Sequence, residues 1–190
     1  MNTLSTWILT VLLSVSPPQK NAKWSNESAA SMEQRYASIA QDMAQAIQQS
    51  KPLFQGKGAE FRTAALVTSI GLHESGFRKD VDEGKVRGDG GRSWCLMQIN
   101  IGKGHVLVGD EEMKSWTGKD LVKDRVKCFK VGLEVMRLSM NQCSSLSGGG
   151  VLSGYTSGKC TANEKTAVAR WRFMRQILGK FPVKDPNSNT

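Results

Sequence analysis

Glu74 is the residue best placed to do chemistry in this chain. Val67, Ile70 and Glu74 stand at i, i+3 and i+7, so a helix over this segment projects a carboxyl group from its apolar face. Desolvation there disfavours the carboxylate, and the partial negative charge of a helix C-terminus acts in the same direction. Both effects raise a carboxyl pKa toward neutrality, which a general acid requires. From position alone, the competing reading is an exposed, idle Glu at a frayed helix end. The residues that follow argue for function. Ser75-Gly76-Phe77 come directly after it, and a loop leads to Gly88-Asp89-Gly90-Gly91-Arg92-Ser93-Trp94-Cys95-Leu96-Met97-Gln98-Ile99-Asn100. Asp89 could supply a second carboxylate to the same site; as an Asp between glycines it reads first as a turn residue.

Other chemistries fail on spacing. His73-Glu74 would need a histidine at position 77 to make a zinc-protease helix, and Phe77 stands there. Asp80, Asp82 and Glu83 lack the glycine that a calcium loop needs, since Lys85 occupies its place; they read as a solvated acidic turn. Gly102-Lys103-Gly104 is a fragment of a dinucleotide fingerprint, but Leu107 replaces the third glycine. His105 reads as a loop residue. Cys95, Cys128, Cys143 and Cys160 form no C-x-x-C pair, so a zinc site is not expected. Two disulfides or four buried thiols remain, with three possible pairings. Cys143–Cys160 would close a short Gly/Ser-rich loop, and bridged cysteines would place the protein outside a reducing cytosol.

The elements that must position Glu74 are mostly helices. The 3.6-residue period predicts one from Glu27 to Gln49, with Met32, Tyr36, Ile39, Met43 and Ile47 on a stripe, and one from Ala59 to Glu74. A third opens at Thr117 with Asp120 as a capping box and carries Phe129, Leu133, Met136 and Met140 inward. The last opens at Thr161 with Glu164 in the matching position, carries Ala167, Trp171, Met174 and Leu178, and stops at Gly179. Arg170, Arg172 and Arg175 are placed on its outer, solvated side. Residues 80–110 carry seven glycines and read as loops with a small β region. At the N-terminus, Trp7 to Val15 suits a signal-peptide core, but no Lys or Arg precedes it. Leu4, Trp7, Ile8, Val11, Leu12 and Val15 equally suit a packed helix ended by Pro17-Pro18, with Leu9 and Leu13 on its far face.

With 190 residues, 39% hydrophobic and 23% charged, the chain is too apolar for disorder and long enough for a real core. Its net charge of +9 favours anionic partners such as nucleic acid, anionic lipid or bacterial cell wall. Residues 71–190 carry 20 basic and 13 acidic side chains, against 6 and 4 in residues 1–70, so the second part is the one expected to meet an anion. No recognition-helix or aromatic-and-basic motif supports nucleic-acid binding, and the apolar N-terminal run is too short to span a bilayer.

Taken together, Glu74-Ser75, the Leu96-Met97-Gln98-Ile99 segment and Gly154-Tyr155-Thr156-Ser157-Gly158 resemble the lytic transglycosylase (SLT) domain of the lysozyme-like superfamily, including phage-borne members. That family has a Glu-Ser pair at a helix end, a Gly-x-Met-Gln-Ile segment about twenty residues later and an Ala-Tyr-Asn-x-Gly segment beyond a long helix. The order and spacing match over roughly residues 60–178. Two positions depart from the pattern: Cys95 stands for the usual glycine and Thr156 for the usual asparagine.

The resemblance implies a mainly α (α+β) fold, a lysozyme-like helical domain with a small irregular β lobe beside the cleft. Residues 1–56 would form N-terminal helices, 57–181 the catalytic domain and 182–190 a tail. Glu74 would protonate the glycosidic oxygen between N-acetylmuramic acid and N-acetylglucosamine, then take the proton of the muramic C6 hydroxyl to give a 1,6-anhydro product. Gln98 and Tyr155 would line the cleft, Tyr155 beside the catalytic carboxyl. Ser75 would hold the Glu74 loop or the sugar N-acetyl group, and Asn100 is a candidate sugar ligand or a turn residue. A hydrolytic lysozyme, with Asp89 activating water at ~6.5–9.5 Å from the acid, and a non-catalytic wall-binding or virion module are the alternatives. The implied protein is a monomer acting on peptidoglycan glycan strands, without metal or cofactor, nucleic acid or a membrane span. It would work in the cell envelope, periplasm or outside the cell, or as a virion or lysis protein.

Overall fold

A computed structural model describes residues 3–183; of the expected tail, residues 184–190 lie outside the described residues. Ten helices are present among them: α1 (Thr3–Val15), α2 (Pro18–Asn21), α3 (Ala29–Gln48), α4 (Ala59–Glu74), α5 (Lys79–Asp82), α6 (Glu111–Lys114), α7 (Gly118–Lys123), α8 (Arg125–Gln142), α9 (Ser153–Ser157) and α10 (Lys165–Lys180). The one sheet among these residues is a two-stranded antiparallel ladder, β1 (Ser93–Trp94) and β2 (Ile99–Asn100), with Ser93 opposite Asn100 and Trp94 opposite Ile99. The fold is mainly helical with a small β element, as expected.

Helix α4 is the axis of the structure. All nine residues from Thr63 to Gly71 are buried, because α4 is packed by α1, α3, α8 and α10 together. A helix surrounded in this way needs apolar or small residues all round, and Ala64, Ala65, Thr68 and Ser69 keep its neighbours close. In α1, Leu4, Ile8, Val11 and Leu12 are buried, and the helix lies against α3 and α4; Leu9 and Leu13 are also partly buried against the core rather than facing away from it. One continuous apolar core runs from Leu4 through Ile177.

Two boundaries differ from the sequence-based expectation. The capping box of Thr117 and Asp120 heads only the six-residue α7. The chain then turns extended at Asp124 (φ −132°, ψ 101°), whose carboxylate accepts from the Val126 and Lys127 amides and starts α8 afresh. The final helix begins at Lys165 rather than Thr161, because Glu164 is its cap, accepting from the Thr166 and Ala167 amides. It runs through Gly179 to Lys180.

Two disulfides, Cys95–Cys128 and Cys143–Cys160, account for every cysteine. They tie the β turn to α8, and the end of α8 to the segment after α9. With partners 33 and 17 positions apart in sequence, the chain-entropy model assigns them about 4 and about 3 kcal/mol. Such bridges belong to a non-reducing compartment. No helix of the described residues is long and apolar enough to cross a membrane. The acidic turn at residues 80–83 is not uniformly solvated. Asp82 is buried and paired with Arg125 at 2.7 Å and Arg35 at 3.7 Å, tying α5 to α8 and α3; Asp80 and Glu83 pair locally with Arg78 and Lys85.

Candidate active site

Helix α4 ends so that Glu74 is its last residue and the chain reverses at once. Gly76 adopts φ +61°, a left-handed conformation suited to glycine. Its amide reaches back to the Gly71 and Leu72 carbonyls, both at 3.1 Å. The Ser75 hydroxyl donates to the Gly71 carbonyl at 3.0 Å and accepts from the Phe77 amide at 3.2 Å. Ser75 is therefore spent on the turn that carries Glu74. Phe77 folds its fully buried ring over Gly71, and Arg35 fixes its carbonyl at 2.7 Å.

The second segment is the β turn. Gln98 sits at φ +48°, its side-chain carbonyl accepting from the Gly88 amide at 3.0 Å and its NH₂ donating to the Cys95 carbonyl at 3.0 Å. Both ends of the Gln98 amide thus close the loop onto itself. A Cβ on residue 88 would press on Gln98 Oε1, so a larger residue there would have to displace the Gln98 amide that Gly88 holds. Asp89 accepts from the Ser93 hydroxyl at 2.6 Å and is otherwise exposed, a turn residue at the rim. Asn100, on β2, is exposed.

The third segment is α9. Ser139 of α8 accepts from the Tyr155 amide at 2.9 Å and donates to the Val151 carbonyl at 2.8 Å, which pins α9 on α8. The Tyr155 hydroxyl donates to the Met97 carbonyl at 3.0 Å, tying α9 to the β turn. Burial of the ring, then the charge of Glu74, push the phenol well above its ordinary value, while Arg170 pulls the other way. Tyr155 therefore stays a neutral donor beside Glu74. Thr156 donates to Glu164 at 2.7 Å.

These segments meet in one cleft of about 380 Å³, lined by Glu74, Asp89, Gln98, Asn100, Tyr155, Thr156 and Arg170, with Val106, Leu107, Val108 and Val135 as its apolar wall. Ser75 is the one expected site residue that does not line it. Leu107 is 52% exposed at the wall. No family model, curated protein or solved structure matches the chain.

Arg170 is a correction to the sequence reading. Far from facing solvent, it is 6% exposed, and its Nη2 donates to Glu74 Oε1 at 2.7 Å. Its backbone carbonyl accepts from Ser69 at 2.7 Å, which locks α10 to α4 at that point. The signal was present: Ala167, Arg170, Met174 and Ile177 stand at i, i+3, i+7 and i+10 and are the four buried residues of α10. Arg172 and Arg175 are exposed, as expected. Among the described residues, no cluster of three or more His, Cys, Asp or Glu side chains is arranged to hold a metal ion.

Proposed function

We propose that this protein cleaves the β-1,4 bond between N-acetylmuramic acid and N-acetylglucosamine in peptidoglycan as a lytic transglycosylase, a glycosidic-bond lyase. One observation carries the reading: three segments far apart in sequence, those of Glu74, Gln98–Asn100 and Tyr155–Thr156, line a single cleft with a carboxyl group and an apolar wall. Glu74 gives its proton to the glycosidic oxygen as the C1–O bond breaks. The resulting carboxylate takes the proton of the muramic C6 hydroxyl, and O6 bonds to C1. Atoms balance without water, so a second carboxylate is not needed. Tyr155 holds the β turn against α9 beside the acid, Ser75 and Gln98 shape the two loops, and Asn100 and Thr156 offer polar contacts to the sugar.

Hydrolysis by water is the second reading, favoured by one observation: Asp89 lines the same cleft as Glu74. The substrate places the enzyme in the cell envelope or outside the cell, or in a virion or lysis route, which agrees with two disulfides. The test is release of soluble fragments from purified sacculi by the wild type and by Glu74→Gln. Release by the wild type and none by the folded variant is expected. Equal release by both removes Glu74 from the mechanism, and no release by either leaves a non-catalytic wall-binding or virion module.

A further inference from the structure

Arg170 holds a buried charge that Glu74 satisfies only in part. One guanidinium nitrogen donates to Glu74 Oε1, while Nε and Nη1 are buried without a hydrogen-bond partner. The side chain is 8% exposed and belongs to the lining of the cleft. A buried guanidinium with three N–H groups unpaired is costly. Its cost rises further when Glu74 carries the proton that the proposed reaction requires, because the pair then loses its negative member and leaves a cation alone. Asp89, the other charged group of the lining, is exposed at the rim and engaged with Ser93. No other side chain of the lining is acidic.

We infer that Arg170 is a specificity residue that selects a glycan bearing a free carboxylate next to the scissile bond, the lactyl carboxylate of N-acetylmuramic acid with no peptide attached. The inference rests on the peptidoglycan reading above. A planar carboxylate matches the fork of a guanidinium and can take two parallel hydrogen bonds from it. Nε and Nη1 are closed to solvent and Nη2 is held by Glu74, so docking requires the guanidinium to turn from Glu74 toward the substrate, whose carboxylate then compensates its charge. Glu74 is then free to keep its proton until the glycosidic oxygen takes it. In peptide-substituted strands the same lactyl carbonyl is an amide, with no charge to offer.

The experiment compares two substrates: peptide-free glycan strands with the lactyl carboxylate intact, and the same strands with that carboxylate converted to a methylamide. For the wild type, kcat/KM is expected to favour the carboxylate form by about 10- to 100-fold, the range for a hydrogen bond to a charged group. Arg170→Gln should bring the ratio close to one, and Arg170→Lys should keep part of it, since charge survives without the fork. A merely structural role would lower both rates together and leave the ratio alone. Equal rates on the two substrates with the wild type overturn the inference while the proposed activity stands, whether or not the variants fold. A preserved ratio in folded Arg170→Gln also overturns it. Cleavage of neither substrate by a wild type that releases fragments from purified sacculi overturns the inference alone, and no cleavage of sacculi either overturns both readings.

Discussion

Replacing Gly71 by alanine sets two effects against each other, and the structure says which wins. In a helix interior, alanine is favoured over glycine by about 1 kcal/mol, so α4 considered alone should gain. The new Cβ, however, would stand 2.8 Å from Phe77 Cε1 and 3.2 Å from Cε2, and closer still to Cζ. The ring cannot easily retreat. Phe77 is fully buried, its backbone is left-handed at φ +50°, and Arg35 holds its carbonyl. Overpacking costs about 1–3 kcal/mol, and so close a contact belongs at the upper end. Net of the helix gain, Gly71→Ala should destabilise by about 1–2 kcal/mol, a Tm lower by roughly 2–8 °C for a chain of this size. Activity should fall as well, because the Gly71 carbonyl anchors the turn after Glu74. Gly179→Ala is the control: a Cβ there meets nothing within 4 Å, so up to about 1 kcal/mol of stabilisation is expected. Differential scanning calorimetry of both variants decides the matter. A Gly71→Ala protein as stable as the wild type, or more so, would refute the packing of Phe77 against α4.

Removing the Cys143–Cys160 bridge by double serine substitution should cost about 3 kcal/mol in denaturant unfolding and reduce activity by loosening α9; a loss below 1 kcal/mol would contradict that assignment. Both tyrosines, Tyr36 and Tyr155, are raised above 10.0, chiefly by burial. Phenolate absorbance should therefore stay absent as pH passes 10 and then appear with unfolding. The unfolded chain releases these protons first, so stability falls as pH rises above about 10; smooth titration of either tyrosine in the folded protein would contradict this. Although its partial burial acts to raise it, Glu164 is lowered to about 2 from 4.5 by the Thr156 hydroxyl and the Thr166 and Ala167 amides. The stability it contributes is present above pH 4.5 and lost as pH falls toward 2. Thr156→Val should raise the Glu164 pKa by NMR titration and blunt that acid dependence.

The helix expected from Ala59 to Glu74 coincides with α4, although burial on every side leaves it only a weak apolar periodicity. The helical class and the small β element were equally readable, from the apolar stripes and from the glycines of residues 80–110. The break at Asp124 was hidden because the apolar stripe continues through it. A capping Asp interrupts the backbone without interrupting the pattern. Arg170 and Asp82 were misplaced for a related reason: charge was taken as a mark of exposure, whereas each is buried against a partner about 40 or more residues away. A stripe position occupied by a charged residue is the signal for such a pair, but its partner cannot be named from one sequence. Gln98 and Tyr155 were legible as lining residues, while the hydrogen bonds that commit the Gln98 amide to its own loop depend on left-handed backbone at Cys95 and Gln98, which no spacing announces.

The central claim concerns where the new bond to C1 comes from. Mass spectrometry of glycan digested in ¹⁸O-labelled water tests it directly, with Glu74→Gln in parallel. The account predicts products one water lighter than hydrolytic fragments, free of the label and absent with the variant. Label in the reducing end of full-mass products would contradict transglycosylation and make Asp89 the residue to substitute next.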